Sequence, residues 1–324
     1  MNTKFFALAA LAATACEMVV AQHDPKEMVC PSPEDTDTGV MDGGLDTAGS
    51  ETGSTEGDGD TSGGDLLCLG HCGDIGCNEC PVSDLPPVLF EKFSIDAHEV
   101  KVKYYEKFVE VVLDPSMLSP ECAWKTDFVP GRWNEQLEHG EWPVTNVDWC
   151  DAQAFCEWTG RSLCGDFEGE PVPFGEAATV EGDIWYFACT NGDGRLFPYS
   201  QSASDAAGEG KTWVGKPWEE MTEDEKAGEY DQTACIGEQG MMLPDFPELR
   251  QDSCKVGDHE LFDMSGCVHE WSNSCGEGEG GDVLCLRRGG SIESDMSELR
   301  CAAISKRKRK LRDNKTGFRC CEVL

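Results

Sequence analysis

The residues here best equipped for chemistry are sulfur ligands: the chain has 19 cysteines among 324 residues. That number does not suit a reducing cytosol unless the thiols bind metal. The densest group is Cys68-x3-Cys72-x4-Cys77-x2-Cys80. Four cysteines ending in a CxxC could hold zinc. In an oxidising compartment the same four form two disulfides, a small knot bracing the entrance to the folded part. An odd count leaves one thiol over, and removing Cys16 makes the number even.

Cys16 is removable because the N-terminus reads as an export signal. Lys4 supplies a positive start, Phe5 to Ala15 an apolar run, and small residues follow. The run is too short to span a bilayer. Two cleavage points stay open. Ala13-Thr14-Ala15 before Cys16 resembles a lipoprotein box and would give a lipid anchor through Cys16, with the signal ending at residue 15. Val19-Val20-Ala21 before Gln22 suits ordinary signal peptidase, giving a signal peptide over 1–21. Either way the protein is exported: secreted, periplasmic or attached to an outer membrane.

A net charge of -36 argues against nucleic acid or an anionic membrane surface as partner. Such acidity serves solvation, or else divalent-cation binding. Part of it lies in 22–67, which has no aromatic residue and, from Glu27 to Leu67, neither Lys nor Arg. Too little apolar surface is available there to offset ordering entropy, so this is an acidic disordered linker, extended by its own charge. The Cys-rich segment spans 68–84 and the globular domain 85–324.

Few regular elements are available to position chemistry in that domain. Tyr105, Phe108, Val109 and Val112 fall at i, i+3, i+4, i+7 and predict a helix over Val100–Leu113, ended before Pro115. Asp148 can cap a second helix carrying Trp149, Ala152, Phe155, Cys156 and Trp158, with Gly160 at its stop. Trp185–Thr190, Leu286–Ser291 and Gly317–Val323 read as short strands. The rest is Gly-rich and irregular, so covalent staples and buried Trp must hold the loops.

Five segments then arrive in a familiar order. Phe93-Ser-Ile-Asp-Ala-His-Glu-Val100 opens the domain, and the stretch Pro143-Val-Thr-Asn-Val-Asp-Trp-Cys-Asp-Ala-Gln-Ala-Phe-Cys-Glu-Trp-Thr-Gly-Arg-Ser-Leu163 follows. Gly194-Arg-Leu-Phe-Pro-Tyr199, Leu261-Phe-Asp-Met-Ser-Gly-Cys-Val-His-Glu-Trp271 and the closing Arg288-Gly-Gly-Ser291, Leu299-Arg-Cys301 and Gly317-Phe-Arg-Cys320 complete the set. Together they resemble the formylglycine-generating enzyme (sulfatase-modifying factor) family over about Phe90 to Leu324. The resemblance implies that family's α+β fold, related to C-type lectins, with little regular secondary structure and many disulfides.

It also implies particular staples. By correspondence with the family's two disulfides, Cys156 pairs with Cys320 and Cys189 with Cys301. Cys275 and Cys285 close a local loop. Cys122, Cys150, Cys164, Cys235, Cys254, Cys267 and Cys321 remain without assigned partners.

The family's activity is copper- and oxygen-dependent oxidation of a cysteine in a sulfatase peptide to formylglycine. It needs two cysteines just after the Gly-Gly-Ser motif, whose thiolates hold soft Cu(I). Here that stretch is Ser291-Ile-Glu-Ser-Asp-Met-Ser-Glu-Leu-Arg-Cys301. Ser294 occupies the first reactive position, the second falls near Ser297, and a protonated hydroxyl does not replace a thiolate on Cu(I). Copper is therefore not expected. A sister branch needs a His-x3-His-x-Glu iron site, and no pair among His23, His71, His98, His139, His259 and His269 has that spacing.

The family also binds calcium. Glu270 keeps one ligand of that site, but Cys267 replaces the Asn oxygen a hard cation wants, and Cys235-Ile236 replaces the Asn of a second site. Glu270 is then either a calcium ligand or a surface glutamate, and Cys267 a staple substituting for the ion. Ser291 and Arg300 correspond to residues lining the family's substrate groove, with a scaffold role as the other reading. Lys306–Arg312, KRKRKLR, reads as a solvated loop, or as a dock for an acidic partner or for the chain's own linker.

Two functions follow. One is a non-catalytic binding or structural protein presenting the family groove to a protein, peptide or glycan ligand. The other is an oxidoreductase that modifies a protein or peptide, of the formylglycine-generating type, using some other constellation.

Overall fold

In the computed structural model, residues 67–175, 179, 181–200, 218–223, 226 and 254–324 are described. The expected export signal with Cys16, all but the last residue of the linker expected over 22–67, and Cys235-Ile236 lie outside the described residues. What is described is an α+β arrangement of short elements around two four-stranded sheets.

The first sheet has the order β1-β2-β8-β3 and is antiparallel throughout: β1 (Val88–Leu89), β2 (Phe93–Ile95), β8 (Cys320–Val323) and β3 (Ser162–Leu163). The chain's C-terminal strand therefore sits between strands from near the start of the domain. The second sheet has the order β6-β5-β4-β7: β6 (Ser305–Lys308), β5 (Val283–Arg288), β4 (His269–Glu277) and β7 (Thr316–Gly317). Its long hairpin aligns Glu270 with Arg288 and Cys275 with Cys285, across an irregularity between Trp271 and Cys275. The segment expected as one strand over Gly317–Val323 is two, β7 and β8, one in each sheet.

Helix α1 (Val102–Val109) is shorter than its periodicity suggests. Tyr105 and Phe108 are buried, but Val112 is exposed. The chain leaves the helix there because its backbone pairs with the cysteine knot: the Cys68 N–H donates to the Val112 carbonyl at 2.8 Å, and the Asp114 N–H to the Cys68 carbonyl at 2.9 Å. Helix α2 is a single turn, Trp133–Gln136. Helix α3 (Trp149–Trp158) starts where expected. Asp148 and Asp151 exchange side-chain-to-backbone hydrogen bonds in a capping box, and Gly160 takes a left-handed φ of 77° just past its end. Trp185–Thr190, expected as a strand, is instead helix α4 (Ile184–Cys189). Its cap is Asp183, whose carboxylate accepts from the Tyr186 N–H, and this local bond outweighs the aromatic, strand-like composition.

Aromatic packing joins these pieces. Tyr105 stacks on Phe155 at 5.4 Å, and Phe318 meets Phe155 edge-on at 5.5 Å, so α1, α3 and the chain between the two sheets share one core. Each buried Trp N–H has an acceptor: Trp149 on the Ser272 carbonyl, Trp158 on Cys77, Trp271 on Val147, and Trp185 on the Glu270 carboxylate.

Every described cysteine is disulfide-bonded. Cys68–Cys77 and Cys72–Cys80 form the entrance knot. Cys156–Cys320 and Cys189–Cys301 pair as the resemblance implied, and Cys275–Cys285 closes a local loop. Cys122–Cys150 and Cys164–Cys321 supply two pairings that had no assignment. Cys156–Cys320 spans 164 residues and Cys189–Cys301 spans 112, loops for which chain entropy gives at most about 5 kcal/mol each.

Candidate functional site: a cleft beside the Gly-Gly-Ser turn

Strand β5 ends at Arg288 because the next two residues turn through left-handed backbone, Gly289 at φ 81° and Gly290 at φ 74°. Side chains are excluded there. A Cβ on Gly290 would come within 2.9 Å of Leu299 and 3.1 Å of the Glu298 carbonyl. The strand expected over Leu286–Ser291 thus runs earlier, Val283–Arg288.

Beyond the turn, Ser291 and Ser294 close on each other. The Ser291 N–H donates to Ser294 Oγ at 3.0 Å, the Ser294 N–H donates to the Ser291 carbonyl at 2.9 Å, and both residues are buried. Asp295 Oδ1 accepts from the Ser297 N–H (2.8 Å) and hydroxyl (2.5 Å), which holds its carboxyl below the ordinary range. Arg300 Nε donates to the Ser297 carbonyl at 2.9 Å, and Cys301 is fixed to Cys189. The donor set does not fit Cu(I): Ser294 and Ser297, at the positions the resemblance assigns to the reactive pair, have hydroxyls already used in turn hydrogen bonds, Met296 offers a single thioether, and the Cys301 sulfur is oxidised.

A cleft of about 330 Å³ opens beside this loop, with His269, Arg287, Arg288, Ser297, Glu298 and Arg300 among its walls. Of the four positions the sequence marks, Ser297 and Arg300 line it. Ser291 and Ser294 lie inside the turn instead. His269, Arg287 and Arg288 were not foreseen; the available signal was a histidine and paired arginines inside otherwise core-forming strands.

The cleft's cations are only partly matched. Arg288 donates to the buried carboxylate of Asp183 and lies over the Trp185 ring at 5.9 Å, while its Nε and Nη1 have no acceptor. Arg287 donates to Asp313 at 3.1 Å, to Thr316 and to Ser305 at 3.3 Å, and its Nε has none. Burial, opposed by Asp313, lowers Arg287 to about 10. His269 Nδ1 is buried without a partner, and burial together with Arg287 holds that ring neutral, down to about 3.

Glu270, next to His269, is neither at the surface nor open. It is 1 % exposed. Arg319 grips it in a fork, Nε to Oε2 at 2.8 Å and Nη2 to Oε1 at 2.8 Å, and Trp185 Nε1 adds a bond at 2.7 Å. Glu99 lies 3.8 Å from the same guanidinium, with its carboxyl pushed well up by burial and by Asp263. These residues do not fit calcium. A dication would face a fully buried guanidinium, and position 267 offers disulfide sulfur in place of oxygen.

The basic run is solvated, with Lys306, Arg307, Lys308 and Lys310 exposed, but part of it is a strand and not a loop. Ser305–Lys308 is edge strand β6, paired along β5. Lys306 sits over Phe174 at 4.6 Å and Lys310 over Trp124 at 4.2 Å, and Arg312 reaches Asp148 at 3.1 Å and Asp151 at 2.7 Å.

Residues 61–324 match the family described as the sulfatase-modifying factor enzyme 1-like domain. The chain belongs to this family. Over 208 residues it is 27% identical to the mouse (Mus musculus) protein "Inactive C-alpha-formylglycine-generating enzyme 2", a match covering 62% of this chain and 55% of that one. The Bos taurus protein of the same name is 27% identical over 204 residues, covering 61% and 55%. The chain thus spans about half the length of these curated relatives. Among solved structures it is similar to CarF (18% identity, TM-score 0.36, covering 72% of this chain and 86% of that one) and to PvdO from Pseudomonas aeruginosa (14%, 0.41, 72% and 80%).

Proposed function

We infer that this is an exported, non-catalytic member of the family that uses the cleft beside the Gly-Gly-Ser turn to bind a protein, peptide or glycan. The observation that carries this reading is oxygen where the chemistry needs sulfur: Ser294 stands where the resemblance puts the first reactive cysteine, no cysteine lies near the second, around Ser297 to Leu299, and Cys301 is tied to Cys189. The mouse and bovine relatives, named as inactive enzymes, support it. Export is supported by the seven disulfides described above, which persist in oxidising compartments. Lipid attachment at Cys16 is part of the same reading, as the tether that would keep an exported domain at a membrane.

The test is incubation of the full chain with copper, oxygen and a Cys-x-Pro-x-Arg peptide, followed by mass spectrometry. The thiol is expected to survive. Its conversion to formylglycine would overturn the reading and restore the oxidoreductase.

A further inference from the structure

The walls of the 330 Å³ cleft carry more hydrogen-bond donors than the protein supplies acceptors. Three of its residues are arginines, and a fourth is a buried histidine. The acids nearby are mostly committed elsewhere: Asp183 caps α4 and holds Arg288, and Asp313 serves Arg287 and Thr316. Glu298 is the one acid in the wall itself, and it is exposed; at the rim the exposed Glu219 and Asp295 also act on Arg300. Nε of Arg287 and Nε and Nη1 of Arg288 are donors left without acceptors, and Nδ1 of His269 has no partner in either role. Buried N–H groups without acceptors are rare and costly, about 1–3 kcal/mol each, and more when charged.

That donor excess is unexpected here. A chain with a net charge of -36 repels anions in general, so a cationic concavity needs a local reason. Guanidinium forks match the paired oxygens of carboxylate, sulfate and phosphate. A volume of about 330 Å³ admits such a group together with a short organic body, which a surface ion pair would not require.

We propose that the cleft formed by His269, Arg287, Arg288 and Arg300 is a binding site for a small organic oxyanion: a carboxylate, or a sulfate or phosphate monoester. The inference rests on the reading of this cleft as a binding surface, and it names the chemistry of the ligand's end. Arg300, half-buried at the rim, meets the anion first. The deeper arginines supply the positive charge of the floor, and the neutral His269 ring adds one hydrogen-bonding nitrogen.

The experiment is isothermal titration of the full chain with citrate, inorganic sulfate and inorganic phosphate, against chloride at matched ionic strength. At least one probe is expected to bind with 1:1 stoichiometry; citrate alone would point to carboxylates, sulfate or phosphate to esters. Arg300→Gln is expected to weaken that binding about tenfold. Ala303→Glu, which puts a tethered carboxylate on the wall without touching the core, is expected to abolish it. Hydrogen exchange on the unaltered protein gives a readout independent of any variant, with the bound probe slowing amides of 297–305. Failure of all three probes beyond chloride, protection confined elsewhere, or equal binding by both folded variants would overturn the proposal. None of these results bears on the peptide-oxidation test, so the loss of the anion site and the loss of the non-catalytic reading remain distinguishable.

Discussion

Two arginine-rich regions meet at the start of β4, and they treat charge in opposite ways. On one side Arg319 is enclosed: both oxygens of Glu270 accept from it, and Trp185 gives that carboxylate a third donor. On the other, one residue earlier in the chain, His269 faces a cleft where Arg287 and Arg288 keep N–H groups with no acceptor. The Glu270–Arg319 pair is scaffolding, because its own donors all find acceptors and nothing in it is left to recognise a ligand, although Glu99 Oε1 beside it has no partner. The open region has unused capacity and a cavity beside it. Satisfaction of buried donors, more than the presence of charge, separates structure from site in this molecule.

The largest expected effect lies in the closed network. Glu270→Gln or Arg319→Met alone should cost about 3–5 kcal/mol, since each leaves a buried charge without its partner. Replacing both, Glu270→Gln with Arg319→Met, should cost less than either single change. Denaturant unfolding with disulfides intact gives all three values. If the double variant were worse than both singles, the pair would be contributing net stability of its own, and "scaffold" would understate it.

Glu99 sharpens the same contrast through pH. Its carboxyl is completely buried, and that burial, with Asp263 beside it, raises its pKa well above the ordinary 4.5. From pH 4.5 up to the native pKa the folded state therefore keeps a proton that the unfolded chain has lost. Stability from this group is complete below pH 4.5 and falls as pH rises, by up to about 1.4 kcal/mol per unit. Glu99→Gln, which mimics the protonated form, should flatten that slope and be the more stable protein at pH 8. Parallel slopes in paired unfolding curves at pH 4.5, 6 and 8 would mean that Glu99 is ionised in the fold.

Much of this architecture was legible in the sequence because it rests on local signals or on ordered motifs. Asp148 and Gly160 bracket α3 as their chemistry demands, and the family correspondence placed Cys156–Cys320 and Cys189–Cys301. What escaped depends on distant partners. Val112 leaves α1 for Cys68, more than forty residues earlier, and Glu270 becomes buried only because Arg319 comes to meet it. The run from Lys306 to Arg312 is solvated as read, but its strand and its contacts escaped because their acidic and aromatic partners, from Trp124 to Asp282, are scattered along the chain. The cleft was half legible. Ser297 and Arg300 were marked by the reactive-loop correspondence, whereas Arg287 and His269 become neighbours only through the pairing of β4 with β5 and β7.

The smallest expected effect is the one that decides what the open region is. Arg300 is half-buried, and its Nε is held by the carbonyl of Ser297, three residues away in the same loop. Arg300→Gln therefore removes a rim cation, a local hydrogen bond and its attraction to the exposed Glu219 and Asp295, and leaves neither of those acids buried, so the loss should stay below about 1 kcal/mol. Set beside the 3–5 kcal/mol expected for Arg319→Met, that ratio measures how differently the two regions use the same side chain. Should Arg300→Gln cost as much as Arg319→Met in the same unfolding assay, the rim arginine would be a structural member like its buried counterpart, and the cleft would lose its claim to be a site.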